Sequence, residues 1–150
     1  MEKSDLPPIN IQAHARFMKL VFFVMVLSVG VYAGALLVIS RSAEHLSDGM
    51  KVGFEFCALA SALVVFFVRF VKIARVLVPE TLIPAAERLG KLRSYFIVCC
   101  VFSETVALYG FVLGFMGASL VDVAPFFVGS LVLYALCYPR LPSDLDDRQQ

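Results

Sequence analysis

Apolar residues in this chain gather into four long runs, and most of the charged residues lie between them. The clearest run holds 21 uncharged residues between Lys19 and Arg41. An α-helix needs about 20 such residues to cross the roughly 30 Å of hydrocarbon in a bilayer. The pattern therefore predicts four membrane-spanning helices, over residues 20–40, 52–78, 94–118 and 123–138.

The second and fourth runs are less regular than the first. The second has Glu55 near its start and three basic residues in its last third, a placement typical of side chains that snorkel to the lipid headgroups: Arg69, Lys72 and Arg75. The fourth is short and is expected to begin near Pro125, because proline suits the first turn of a helix. The prediction is an all-α integral membrane protein, a single four-helix bundle over residues 1–150 with disordered ends at 1–10 and 141–150.

Basic residues are unevenly divided between the two sides that this topology creates. Eleven of the 13 lysines and arginines lie in the two ends or around the connector between the second and third helices, and two lie between the first and second. Since cytoplasmic segments carry an excess of these residues, both termini are predicted to be cytoplasmic. The first run exceeds the about 7–15 apolar residues of a signal peptide, so it is interpreted as a retained helix. The expected location is a bacterial inner membrane.

Composition removes several function classes. With 60% hydrophobic and 17% charged residues, the chain has more apolar surface than a soluble domain of this size buries. A net charge of +1 provides no field for nucleic acid. The two histidines, His14 and His45, lie in the flanks of the runs, and no glycine-rich phosphate loop is present. We therefore expect no metal, cofactor, nucleotide or enzymatic site, and we expect the four cysteines to act as small hydrophobic side chains.

Glycine spacing indicates where the helices approach one another. Helices in a bilayer associate through small residues, since lipid tails are as apolar as leucine. Two pairs are spaced four residues apart, Gly30 with Gly34 and Gly110 with Gly114. These pairs predict contact faces within one bundle. The alternative is self-association, in which the partners besides lipid are further copies or other membrane subunits.

One charged residue, Glu104, interrupts the third run near its middle. An ionised carboxylate at this depth costs at least about 2.5–3.5 kcal/mol, so it must be protonated, paired or bound to a cation. If the second and third helices are antiparallel, Arg69 lies at a similar depth and is a possible ion-pair partner. Such a pair would be a static buried contact with no transport role.

The stretch KLRSYFIVCCVFSETVALYGFVLGF resembles the carboxylate-bearing helix of the c subunits, or proteolipids, of rotary ATP synthases. The resemblance covers about 25 residues, and its matching positions are Ser103, Glu104, Ala107, Leu108, Tyr109, Gly110 and Phe115. It implies that Glu104 accepts and releases the transported ion.

The choice of ion depends on the residues around Glu104. Sodium-binding members of the family resemble this chain in placing a hydroxyl directly after the glutamate, here Thr105, and a tyrosine five residues after it, here Tyr109. They also use a glutamine or glutamate on the partner helix, where this chain offers Ser61 and, farther out, Glu55. The resemblance therefore favours protons. Two hypotheses remain: a c-subunit-like proton carrier, or a non-transporting accessory subunit in which an Arg69–Glu104 pair fixes the helix register.

Overall fold

The structure is a computed structural model that describes residues 11–38, 48–77 and 85–138, all of whose regular elements are helical. The five α-helices are α1 (Ile11–Val38), α2 (Asp48–Phe67), α3 (Ala74–Leu77), α4 (Ala85–Phe115) and α5 (Leu120–Leu136). A π-helical segment, Val68–Ile73, joins α2 to α3 without a break. The described residues therefore form four long helices, which confirms the predicted all-α class and helix number.

Three of these helices are long and apolar enough to cross a membrane. They contain the segments Arg16–Val38, Asp48–Val76 and Glu87–Phe115. The fourth, α5, is apolar but has 17 residues, about 25 Å at 1.5 Å per residue. It is therefore shorter than the hydrocarbon core that the other three match. The predicted disordered ends, 1–10 and 141–150, lie outside the described residues.

The start of α5 differs from the prediction. The helix begins at Leu120, after an N-cap at Ser119 whose hydroxyl accepts a hydrogen bond from the backbone N–H of Asp122 at 3.3 Å. Pro125 lies inside the helix, in its second turn, and not at its start. A capping hydroxyl satisfies an N–H group that the helix leaves without a partner, which explains why the cap and not the proline sets the boundary.

The turn before α5 is equally specific. Gly117 has φ 94°, a conformation that glycine adopts without steric cost. The N–H of Ala118 donates to the carbonyl of Leu113 at 3.0 Å, and the N–H of Gly117 donates to that of Gly114 at 3.1 Å. This pair of bonds is a Schellman motif, and it reverses the chain so that α5 folds back along α4.

The central helix is α4, which buries two faces against different neighbours. One face lies in a cluster with residues of the second helix and α5, and its buried members are Leu92, Cys99, Val106 and Leu113. The other face of α4 packs against α1 and α5, and its buried members are Phe96, Cys100 and Ala107. Positions three, four and seven apart lie on the same side of a helix. The chain thus uses two separate stripes of α4 to hold the bundle together.

Contacts along α4 give the direction of α1. The guanidinium of Arg93 lies 4.1 Å from the ring centre of Phe17 at one end. Leu36 meets Gly114 at the other end. Residue numbers rise together in both helices, so α1 runs parallel to α4.

The other two helices run antiparallel to α4, because their numbers fall as those of α4 rise. The pairs that show this are Phe54–Tyr109 and Val76–Arg88 for the second helix, and Phe126–Gly110 and Tyr134–Cys100 for α5. The starts of α1 and α4 and the ends of α3 and α5 therefore lie at one end of the bundle.

The glycine pairs have different environments. A Cβ on Gly110 would lie 2.7 Å from the Cβ of Phe126, and one on Gly114 would lie 2.7 Å from a methyl of Leu36. Both glycines of this pair therefore lie at close contacts with neighbouring helices. Around Gly30 and Gly34, by contrast, the described part of the chain places nothing within 4 Å of the added Cβ. The predicted intrachain contact on α1 is therefore not formed there.

The cysteines follow the prediction with one difference. Cys99, Cys100 and Cys137 are buried as free thiols among apolar side chains. Cys57 is also free but lies exposed on α2. Three of the four cysteines therefore act as small core residues, which is common for free thiols.

Candidate functional site

Glu104 lies where α1, α4 and α5 meet, and both of its carboxylate oxygens have a hydroxyl neighbour. Ser28 Oγ on α1 lies 2.5 Å from Oε1, and Tyr134 Oη on α5 lies 2.6 Å from Oε2. The residue is half-buried and lies three residues past the middle of the segment Glu87–Phe115. A carboxyl group at that depth is held by neutral polar groups from two other helices.

The hydroxyl of Ser28 is fixed by packing and by a second contact. Its oxygen lies 2.6 Å from the carbonyl oxygen of Met25, one turn earlier on α1. Buried Met18 and Val29 pack on the stripe of α4 that faces α1 and so set the register of the two helices. Tyr32, one turn after Ser28, also has its side chain beside Glu104. The Ser28–Tyr32 side of α1 therefore covers the carboxyl group.

The hydroxyl of Tyr134 is held by the close packing of α5 on α4. Tyr134 is 1% exposed, and its ring meets that of Phe22 edge-on at 6.0 Å. One turn earlier on α5, the buried hydroxyl of Ser130 donates to the carbonyl oxygen of Ser103 at 2.8 Å. Ser103 directly precedes Glu104 on α4, so this bond fixes the position along α4 at which Tyr134 contacts the carboxylate.

Arg69 does not pair with Glu104 in the described residues. Its Nε donates to the carbonyl oxygen of Leu136 at 2.9 Å, so it caps the C-terminal end of α5, where the helix dipole favours a cation. This also differs from the snorkelling predicted for it. Arg69 lies near the thiols of Cys99 and Cys137, on the side of α4 that faces the second helix, whereas Glu104 lies on the side that faces α1. The predicted Arg69–Glu104 ion pair is not formed, because a similar depth in the bundle does not place the two side chains on the same side of α4.

The other predicted ligands are not brought to Glu104 either. Thr105 donates to the carbonyl of Val101 at 2.9 Å, and the ring of Tyr109 packs on Phe54. Successive residues are rotated by about 100° around a helix, so positions one and five after Glu104 point elsewhere. Ser61 is buried on α2 and donates to the carbonyl of Cys57 at 2.9 Å. All three hydroxyls are satisfied or packed away from the carboxyl group.

The residues that do reach Glu104 were missed from the sequence. Ser28 is 76 positions away and Tyr134 is 30 positions away, and both lie in apolar runs where a single hydroxyl is common. The one available signal was that Ser28 and Tyr32 lie one turn apart on the first predicted span. That spacing gives a polar stripe on one side of a helix, which suits a buried carboxyl group on a neighbour.

No metal site accompanies the carboxyl group in ranges 11–38, 48–77 and 85–138. These ranges hold no group of three or more histidine, cysteine, aspartate or glutamate side chains close enough to bind an ion. The groups with an ionisable proton that face Glu104 are Tyr32, Cys100 and Tyr134, one from each helix of the site. All three are weak acids that are neutral near pH 7 in their ordinary state.

Comparisons of the chain with protein families, with curated proteins and with solved structures find no match. The resemblance of residues 91–115 to ATP synthase c subunits therefore depends on the residues of that stretch alone.

Proposed function

We propose that this chain is an integral membrane protein in which Glu104 binds and releases a proton, in the manner of an ATP synthase c subunit. The observation that carries the proposal is the pair of hydroxyl contacts, one on each carboxylate oxygen. A hydroxyl both donates and accepts, so it stabilises a protonated carboxyl group as well as an ionised one. A carboxyl group held in this way exchanges its proton without losing its partners.

The position of Arg69 also supports proton exchange. A guanidinium bound to a buried carboxylate would hold it permanently ionised, because removing either charge would leave the other unpaired. In the described residues, Arg69 is instead engaged by the C-terminal carbonyl of α5. Glu104 is also only half-buried, so part of the residue reaches the surface of the bundle.

We also propose that the bundle end carrying the starts of α1 and α4 faces the cytoplasm of a bacterial inner membrane, with both termini on that side. The described basic residues near this end are Arg16, Lys19, Arg69, Lys72, Arg75, Arg88, Lys91 and Arg93. Lys51, at the opposite end, is bound by Asp122 at 3.0 Å. Such an excess of positive charge on one side is typical of the cytoplasmic side of membrane proteins.

Association with further copies, or with other membrane subunits, is part of the same proposal. Gly30 and Gly34 have room around them in the described structure, so a second helix can approach the backbone of α1 there. Particle size in a mild detergent tests this step. A ring of many copies supports the c-subunit-like assembly, and a monomer contradicts it.

The second candidate is a non-transporting accessory subunit. The observation that favours it is that Glu104 joins three helices, since Ser28 and Tyr134 both bond to it from neighbouring elements. A polar contact of this kind fixes helix register inside a membrane. Under this hypothesis Glu104 stabilises the bundle and its proton never leaves.

Proton flux into liposomes distinguishes the two functions. The purified protein is reconstituted, a potassium diffusion potential is applied, and proton uptake is measured for the wild type, Glu104→Gln and Glu55→Gln. Glu55 is the matched control, because it is an exposed glutamate on α2. We expect flux in the wild type and in Glu55→Gln and its loss in Glu104→Gln. No flux from the wild type, or unchanged flux in a folded Glu104→Gln, would favour the accessory subunit.

A further inference from the structure

The contacts of Ser28 determine where the hydrogen atoms of the site lie. A serine hydroxyl has one proton to donate and two lone pairs that accept. The two nearest oxygen neighbours of Ser28 Oγ are the carbonyl of Met25 at 2.6 Å and Oε1 of Glu104 at 2.5 Å, and the side chain of Tyr32 lies beside both Ser28 and Glu104. One serine proton cannot occupy both contacts, so one of them needs a proton from elsewhere.

Only Glu104 can supply the second proton to this pair of contacts. The carbonyl of Met25 has no hydrogen, so the contact between Met25 and Ser28 can be bridged only by the serine's own proton. If Glu104 were ionised, the serine proton would turn to Oε1. Two unprotonated lone-pair regions would then face each other across 2.6 Å. A neutral carboxylic acid removes this conflict, because its own O–H bridges the contact with Ser28.

The hydroxyl of Tyr134 provides a hydrogen bond at the other carboxylate oxygen, Oε2. Its hydroxyl lies 2.6 Å from Oε2 and 3.3 Å from the carbonyl of Cys100. Hydroxyl donors bond at about 2.5–3.0 Å, so the proton of Tyr134 is directed to Oε2. Oε2 is then the carbonyl oxygen of the acid and accepts a bond, while Oε1 carries the proton and donates one.

We propose that Glu104 holds its proton on Oε1 and donates it in a hydrogen bond to Ser28, whose own proton bonds to the carbonyl of Met25. This rests on the proposed function and deepens it, since it names the positioning residue for the carried proton. On release, the Oε1–H bond breaks and the proton passes to water. The hydroxyl of Ser28 then rotates to donate to the carboxylate and gives up its hydrogen bond to the carbonyl of Met25.

Infrared difference spectroscopy of the full chain in lipid at neutral pH tests the proposal. The spectrum of Glu104→Gln, subtracted from that of the wild type, identifies the carbonyl stretch of a neutral Glu104. We expect this band in the wild type. In Ser28→Ala we expect it to move to higher wavenumber, because the acid no longer donates to Ser28. Ser28→Thr keeps the hydroxyl and should retain the wild-type position.

Thr105→Val is the matched control, because Thr105 is adjacent to Glu104 and its hydroxyl bonds to Val101 and not to the carboxyl group. It should leave the band in place. Absence of a neutral-acid band in the wild type would overturn the proposal even if Ser28→Ala failed to fold. A band in Ser28→Ala that moves no more than in Thr105→Val would also overturn it. The readout is separate from proton flux: a correct band without flux refutes transport alone, whereas flux without the band refutes the positioning of the proton.

Discussion

Replacing Gly110 with alanine adds one methyl group at a close contact between α4 and α5. The new Cβ would lie 2.7 Å from the Cβ of Phe126 and 3.4 Å from the carbonyl oxygen of Val123. Every residue except glycine has a Cβ, so shortening Phe126 to another side chain does not remove the clash. The backbones of the two helices must therefore separate.

The magnitude follows from two opposing effects. Alanine stabilises a helix by about 1 kcal/mol relative to glycine. Overpacking a filled contact costs typically about 1–3 kcal/mol. Gly30→Ala gains the first effect without the second, because the described structure leaves the space around it open. Both variants replace glycine by alanine in a helix, so the helix preference cancels when their stabilities are compared. We expect Gly110→Ala to be less stable than Gly30→Ala by about 1–3 kcal/mol.

The free energy of unfolding in detergent, measured by titration with a denaturing surfactant, provides the comparison. Gly114→Ala is an informative third variant, since its new Cβ would meet the flexible methyl groups of Leu36. It should be intermediate, and Leu36→Val should restore part of its stability. A Gly110→Ala protein as stable as Gly30→Ala would refute the inferred packing of α5 on α4.

Three further experiments test other contacts. Tyr134→Phe removes the bond to Oε2 of Glu104 and should lower the unfolding free energy by about 1 kcal/mol; no loss would contradict that bond. In a double-mutant cycle, Arg69→Met and Glu104→Gln should be additive to within about 0.5 kcal/mol, because the two residues share no contact in the described structure, and a larger coupling would indicate the ion pair. Lys51→Met removes the ion pair with Asp122. Because the two side chains are 32% and 39% exposed, the free energy of unfolding, measured by thermal unfolding, should fall by no more than about 1 kcal/mol, and a larger loss would show a buried pair.

The helices could be predicted because the cost of placing a charge in lipid applies to each residue separately. The uncharged segments between charged residues therefore predict four helices without information on how those helices pack together. The start of α5 could not be found in this way, since Ser119 sets it through a local hydrogen bond. The π-helical segment Val68–Ile73 was also not predicted, because its charge pattern is the same as that of an α-helix.

The candidate site was predictable only in part. A single carboxylate within an apolar run can be recognised from the sequence alone, so Glu104 could be predicted. Its partners depend on which faces of α1 and α5 meet α4, and the packing of Val29 and the bond from Ser130 fix those faces. Thr105 was predicted from the resemblance, in which a hydroxyl directly follows the glutamate, but neighbouring helix positions point in different directions.

Proton exchange by Glu104 requires a protonated carboxyl group that a reagent dissolved in the membrane can reach. Covalent labelling by a hydrophobic carbodiimide, which attacks protonated carboxyl groups, tests it most directly. Labelled peptides are mapped by mass spectrometry over about pH 6–9, with Glu104→Gln as the blank. We expect modification at Glu104 that is absent in the blank. A Glu104 that stays unlabelled across this range, in protein that is folded in lipid, would contradict it.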